Sequence, residues 1–166
     1  MSSRVVVTTP SDRAIKVARS FDAPAQVVFD FHTKPEHVQK WLLGPPGWSM
    51  PICEIDPRVG GRYRYVWRND ADGTQFGVQG EFREVSAPWR TVNVETMDGR
   101  PGEALCTMLL SESGNRTTLE LTIEFATQEE RDAALETGMT EGMSMSYDRL
   151  EEFLGAAQGH VASSRS

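Results

Sequence analysis

The hydrophobic pattern of this chain changes period three times, and each change marks a new kind of element. Residues Ala14 to Ser20 alternate as a strand. Asp22 is placed to cap a short helix that has Pro24 in its opening turn and carries Val27, Val28 and Phe31 on one face. A second short helix follows at once. Thr33 and Glu36 have capping-box spacing, Pro35 suits a first turn, and Val38, Trp41 and Leu42 give it one apolar side. Gly44-Pro45-Pro46-Gly47 then forbids continuation.

From Ile52 onward the period is two, with turn signals about every dozen residues, as in an antiparallel meander. Six strands fit. Ile52 to Asp56 leads into Gly61 to Arg68, where Tyr63, Tyr65 and Trp67 share one face and arginines the other. Asn69 to Gly73 (NDADG) makes a hairpin with Asp72-Gly73 at its tip. Phe76, Val78 and Phe82 mark the next strand, Val92 and Val94 another, and Ala104, Cys106, Met108 and Leu110 a further one. Gly114-Asn115 closes the last hairpin, after which Leu119, Leu121, Ile123 and Phe125 alternate with threonine and glutamate. A sheet with one wet and one buried face is implied.

The C-terminal segment can cover that buried face. Thr127 and Glu130 form another capping box, opening a helical pattern that runs to Leu154, with Met139, Met143, Tyr147, Leu150 and Leu154 as its apolar stripe. Gly138 and Gly142 interrupt this helix, each at a cost of about 1 kcal/mol relative to alanine. Two explanations stand open. Either the helix bends near Gly138, or the small residues Gly138, Gly142 and Ser146 make room for close backbone packing or for a ligand. The whole reads as an α+β domain over residues 13–155, with polar tails at 1–12 and 156–166.

Composition narrows the function. The chain has 166 residues, enough for one domain with a core and an internal cavity. Its net charge of −7 disfavours nucleic acid and anionic membranes as partners. No run approaches the ~20 apolar residues of a membrane span, and the N-terminus lacks a secretory pattern, so a cytoplasmic location is expected. Arg58, Arg62, Arg64 and Arg68 read as the solvated side of a strand. Cys53 and Cys106 read as reduced, buried thiols, with no metal spacing around them. His32 and His37, five apart across a helix break, do not share a metal-binding face, and no metal or cofactor is expected. Linear signatures of nucleophilic, nucleotide-binding and zinc-dependent enzymes are absent. Four strand carboxylates, Glu54, Asp56, Glu81 and Glu95, would become candidate general acids if one of them pointed inward.

Several stretches together resemble a known family. They are Phe21-Asp22-Ala23-Pro24, Thr33 to Glu36 followed by Trp41, Gly44-Pro45 with Trp48, Gly60-Gly61-Arg62-Tyr63, Gly73, Gly80-Glu81-Phe82, and Gly138 to Leu154. In this order they resemble the SRPBCC (START-like, helix-grip) superfamily, and within it the domain of the activator of heat-shock protein 90 ATPase. The resemblance covers roughly residues 14 to 155. It implies a curved antiparallel sheet of about six to seven strands gripping the long C-terminal helix, with two short helices between the first two strands. It also implies a cavity between sheet and helix, lined by Trp41, Trp48, Tyr63, Tyr65, Trp67, Phe76, Leu119, Leu121, Met139, Met143 and Tyr147. Such a wall suits a hydrophobic or aromatic small molecule. Two other expectations stand beside that one: a chaperone-binding co-chaperone domain, and an enzyme of the cyclase, aromatase or hydrolase type working inside the cavity.

Overall fold

The computed structural model describes residues 5–164 and the side chains of residues 5–155. In that stretch the elements are β1 (Val6–Ser11), β2 (Ala14–Phe21), α1 (Ala25–Thr33), α2 (Pro35–Trp41), β3 (Trp48–Ile55), β4 (Arg62–Asn69), β5 (Gln75–Ser86), β6 (Arg90–Met97), β7 (Ala104–Ser113), β8 (Arg116–Glu124), α3 (Gln128–Glu136) and α4 (Met139–Ser164). The strands form one antiparallel sheet in the order β1-β2-β8-β7-β6-β5-β4-β3. The sheet is curved and unclosed, and the helices lie against it in the helix-grip manner. The register between β5 and β6 shifts between Phe82 and Glu84. A bulge of this kind bends its strand and adds twist, which helps a long strand follow a curved sheet.

One strand more is present than the period-two pattern indicates. Residues 6–11, read as part of a polar tail, pair with β2 as an exposed edge strand. With every residue exposed, β1 has no buried face and therefore no alternation to detect. At the other end the α4 backbone stays helical to Ser164, while the side chains of 156–166, read as a tail, lie outside those described.

Two of the expected caps take a different form. Thr33 does not open α2, because it is still the last residue of α1, where its buried hydroxyl donates to the Phe29 carbonyl at 2.9 Å. Lys34 stands at the N-cap of α2 without a side-chain bond. Nor does Asp22 cap α1, being drawn instead to Arg116 at 2.9 Å. The α1 N-terminus receives a carboxylate from a distant strand, since Ala25 N–H donates to Glu112 Oε1 at 2.6 Å. An acidic group there also complements the helix dipole. The third cap forms as expected, Thr127 Oγ1 accepting from the Glu130 amide at 3.1 Å.

The C-terminal pattern is two helices. Gly138 adopts φ +81°, in the left-handed region where a side chain is costly, and the chain turns there between α3 and α4. Gly142 plays the other role foreseen, close backbone packing. A Cβ on it would lie 3.8 Å from Pro45 and 4.0 Å from the Gly44 Cα, so the loop after α2 rests on this part of α4. Polar bonds hold that seat. Gly44 N–H donates to Ser146 Oγ at 2.9 Å, and the Arg149 guanidinium donates to the carbonyls of Trp41 and Gly44 at 2.9 and 3.0 Å.

Across the sheet, α4 is tied to β2. The Arg19 side chain is wholly buried and donates to Asp148 Oδ1 at 2.6 Å and to Glu151 Oε2 at 3.2 Å. Around this clamp Tyr147, Leu150 and Leu154 of α4 pack with Ile15, Val17 and Phe21 of β2, Leu119 of β8, and Val28 and Trp41 of α1 and α2. Full burial of each aliphatic side chain here contributes about 1.5–3 kcal/mol.

The two helix glycines should therefore respond oppositely. Gly138→Ala should lower unfolding stability by about 1–2 kcal/mol, because alanine must enter the left-handed region. Gly142→Ala should raise it by about 0.5–1 kcal/mol, because the new methyl meets only ordinary contacts. Urea denaturation of both variants checks the pair.

Candidate functional site

The inward-facing residues of the sheet follow from register. On β4 they are Tyr63, Tyr65 and Trp67, whose partners on β5 are Gly80, Val78 and Phe76. Beyond them on β6, Glu95 pairs with Gly80 and Asn93 with Phe82. Cys106 of β7 pairs with Asn93. Of the four strand carboxylates that the sequence offers, Glu95 is thus on the same face as the aromatic row. Glu54 and Glu81 pair with Arg64 and Arg62 on the opposite face, while Asp56 binds Arg58. The outward arginines are solvated, and Arg64 makes two bonds to Asp98 at 2.9 and 2.7 Å that hold its aspartate below the usual carboxylate range.

The expected cavity residues divide into two groups. Trp41, Leu119 and Tyr147 are fully or almost fully buried in the main core, with Leu121, Met139 and Met143 packed against it. Trp41 stacks on Tyr147 with ring centroids 5.5 Å apart and donates its indole N–H to the Phe31 carbonyl at 2.8 Å. Tyr63, Tyr65 and Trp67 belong to a second cluster with Val78, Phe82, Ile55 and Val85. Trp48 and Phe76 extend it, so that Phe82, Tyr63, Tyr65, Trp67, Phe76 and Trp48 form an unbroken row, successive centroids 5.0–5.8 Å apart. Trp41 and Trp48, which bracket the Gly-Pro break, therefore end up in different clusters. The second cluster contains no described side chain of α4. Tyr65 and Trp67 are only partly buried, and Phe76 is 40% exposed.

A polar chain crosses the inner end of this row. Tyr63 O–H donates to Glu95 Oε1 at 2.8 Å, and Asn93 Nδ2 donates to the Tyr63 oxygen at 2.7 Å. The glycine at 80 makes this reach possible: a Cβ there would overlap the Tyr63 ring, which lies across the Gly80 backbone on its way to β6. Burial pushes the Glu95 carboxyl above its usual range, with the Tyr63 bond acting in the opposite sense. Burial also raises the phenols of Tyr63 and Tyr65 and the thiol of Cys106. The Cys53 thiol on β3 is pushed up to about 11, first by burial and then by Glu36 and Glu54. Both cysteines are unbridged. Burial keeps these phenols and thiols neutral at neutral pH, and Glu95 is the carboxyl among them. Linear reading places it among four candidates but cannot choose, because only the β4-β5-β6 register and Gly80 bring Tyr63 to it.

The main core has its own titrating group. His32 Nδ1–H donates to the Val28 carbonyl at 2.7 Å, and its ring meets Trp41 edge-on at 4.8 Å. Its Nε2 is buried without a hydrogen-bond partner. Burial lowers the imidazole from 6.5 to about 4. A shallow hollow of about 190 Å³ has a wall that includes Val94, Leu105 and Glu124 of β6 to β8 and Phe125 at the edge of the main core. No group of three or more His, Cys, Asp or Glu among the described residues could hold a metal ion. No described helix is long and apolar enough to cross a membrane.

Two pH dependences follow. The unfolded chain protonates His32 near pH 6.5 while the fold resists it to about 4, so native stability falls as pH drops through this window, by about 3 kcal/mol at pH 4. His32→Phe should flatten that slope, as read from melting temperature against pH. Glu95 has the opposite sign. Its raised carboxyl costs nothing in acid, where both states are protonated, and destabilises the fold as pH rises past the unfolded value near 4.5. Glu95→Gln should therefore melt higher than the parent at pH 8 and equally at pH 4.

Comparison with known proteins agrees with this architecture. A crystal structure of a Rhodobacter sphaeroides protein superposes with a TM-score of 0.87 at 29% identity, covering 92% of this chain and 99% of that one. A Nitrosomonas europaea protein gives 0.79 at 25% identity, over 91% of this chain and 99% of its own. CalU16 from Micromonospora echinospora shares the fold at 21% identity, with a TM-score of 0.62 over 99% of this chain and 92% of its own. No curated protein matches the chain. The family model described as Activator of Hsp90 ATPase homolog 1-like protein matches residues 22–155, and the chain belongs to that family.

Proposed function

We propose that this protein binds an apolar, aromatic-bodied small molecule against the inner face of β3 to β5. The observation that carries this reading is the row from a buried Tyr63 through the partly buried Tyr65 and Trp67 and the exposed Phe76 to a partly buried Trp48, continuous and inward-facing, in a cluster that includes no described α4 side chain. Aromatic rings left partly open on a concave face gain from a flat guest both by burial and by ring contact, the latter about 0.5–1.5 kcal/mol per pair. The row is held in place independently of any guest. Trp67 is anchored by its indole N–H, which donates to the Leu42 carbonyl at 2.7 Å, and Tyr63 by Asn93 and Glu95. A rigid wall loses little entropy on binding.

The main core is left out of the site. Trp41, Leu119 and Tyr147 fill space between sheet and α4 and serve stability. Their replacement should unfold the protein before it reveals any ligand effect. The test is titration with the neutral probe N-phenyl-1-naphthylamine. Saturable binding near 1:1 is expected, weakened at least fivefold by Trp67→Ala, about 1 kcal/mol, and unchanged by Trp89→Ala at an exposed indole elsewhere. Absence of saturable binding, or equal loss in both variants, contradicts the reading.

A further inference from the structure

The geometry points to an organic ammonium ion on an apolar body as the ligand class, its cation seated between the free oxygen of Glu95 and the rings of Tyr63 and Tyr65. This rests on the concave-face site proposed above and adds the charge of the guest.

Three observations carry it. Glu95 uses one oxygen, Oε1, as acceptor for Tyr63, and the hydrogen bonds among the described residues leave its Oε2 available to a guest. Among the described residues no Lys or Arg lies within ion-pair distance of this carboxylate, although ion pairs elsewhere are plentiful. Arg19, buried on β2, already has its charge paired with Asp148 and Glu151 of α4. The groups facing Glu95 are a phenol from β4 (Tyr63), a second phenol beside it (Tyr65), an amide on its own strand (Asn93) and a thiol from β7 (Cys106). None of these supplies positive charge.

An uncompensated carboxylate in a half-buried aromatic setting is unfavourable by itself, and an arriving cation relieves it. The rings reinforce the sign preference, because their faces are electronegative and attract cations, whereas an anionic head group would meet both the carboxylate and those faces. A neutral guest could fill the same aromatic space without gaining from Glu95. The inner-face charge thus separates three head groups on one body.

The test uses 1-naphthylmethylammonium, 1-naphthylmethanol and 1-naphthoate, titrated calorimetrically at pH 7.5 into the parent, Glu95→Gln and Tyr63→Phe, each first shown folded by circular dichroism. The expected order is ammonium, then alcohol, then carboxylate, with about tenfold between the first two. Glu95→Gln should erase the ammonium's advantage and leave the alcohol within twofold. Tyr63→Phe keeps both the carboxylate and the ring, so the ammonium should stay ahead of the alcohol; this second variant decides the matter if Glu95→Gln fails to fold. An alcohol that binds as well as the ammonium overturns the charge assignment alone and leaves the apolar site standing. Equal weakening of both by Glu95→Gln does the same. Failure of all three probes to bind overturns both readings.

Discussion

The position of α4 depends on a buried guanidinium. Arg19 sits in β2 among Ile15, Val17 and Phe21, where an unpaired charge would be prohibitively costly, and two carboxylates one turn apart on α4 pair with its two terminal nitrogens while Nε stays unbonded. Asp148 and Glu151 are spaced three residues apart and so lie on one face of the helix, which fixes both rotation and height of α4 over the sheet. Neither carboxylate is itself deeply buried, Asp148 remaining 66% exposed, so the desolvation cost falls mainly on the arginine. The result is a helix held at the β2 side of the sheet. The loop seated on Gly142, Ser146 and Arg149 holds it from the other direction.

That placement divides the inner face. On the α4 side, side chains interlock and the core is closed, down to a histidine whose Nε2 has no partner. On the β3 to β6 side, the aromatic row supports itself through ring contacts and three side-chain hydrogen bonds. Stability and recognition can then reside in different residues of one sheet. A family whose shared feature is its scaffold can vary the second set while keeping the first.

Much of the fold was legible in the chain because its signals are local. The alternation of Tyr63, Tyr65 and Trp67 with arginines identifies a strand and its two faces without reference to anything else. Gly44 to Gly47 likewise ends a helix wherever it stands. Signals that depend on distant partners were not legible. The cap of α1 comes from Glu112, 87 residues away, so the nearer Asp22 drew the reading. Thr33 and Glu36 have the spacing of a capping box, yet the hydroxyl was already engaged one turn back. The edge strand β1 has no buried face to betray it. For the candidate site, the aromatic residues could be picked out by their period, but not their division between two clusters, since that depends on where Arg19 pulls α4. Glu95 required the register of three strands and the missing Cβ of Gly80.

Ligand binding on this scaffold requires that the inner face near β4 admit a guest while the α4 core stays closed. Aromatic-carbon NMR of the protein during titration with a neutral naphthalene probe measures this directly. Saturable shifts at the Tyr65 and Trp67 rings, with Trp41 and Tyr147 unmoved, are the predicted result; shifts confined to Trp41 and Tyr147, or to the hollow by Leu105, would contradict it.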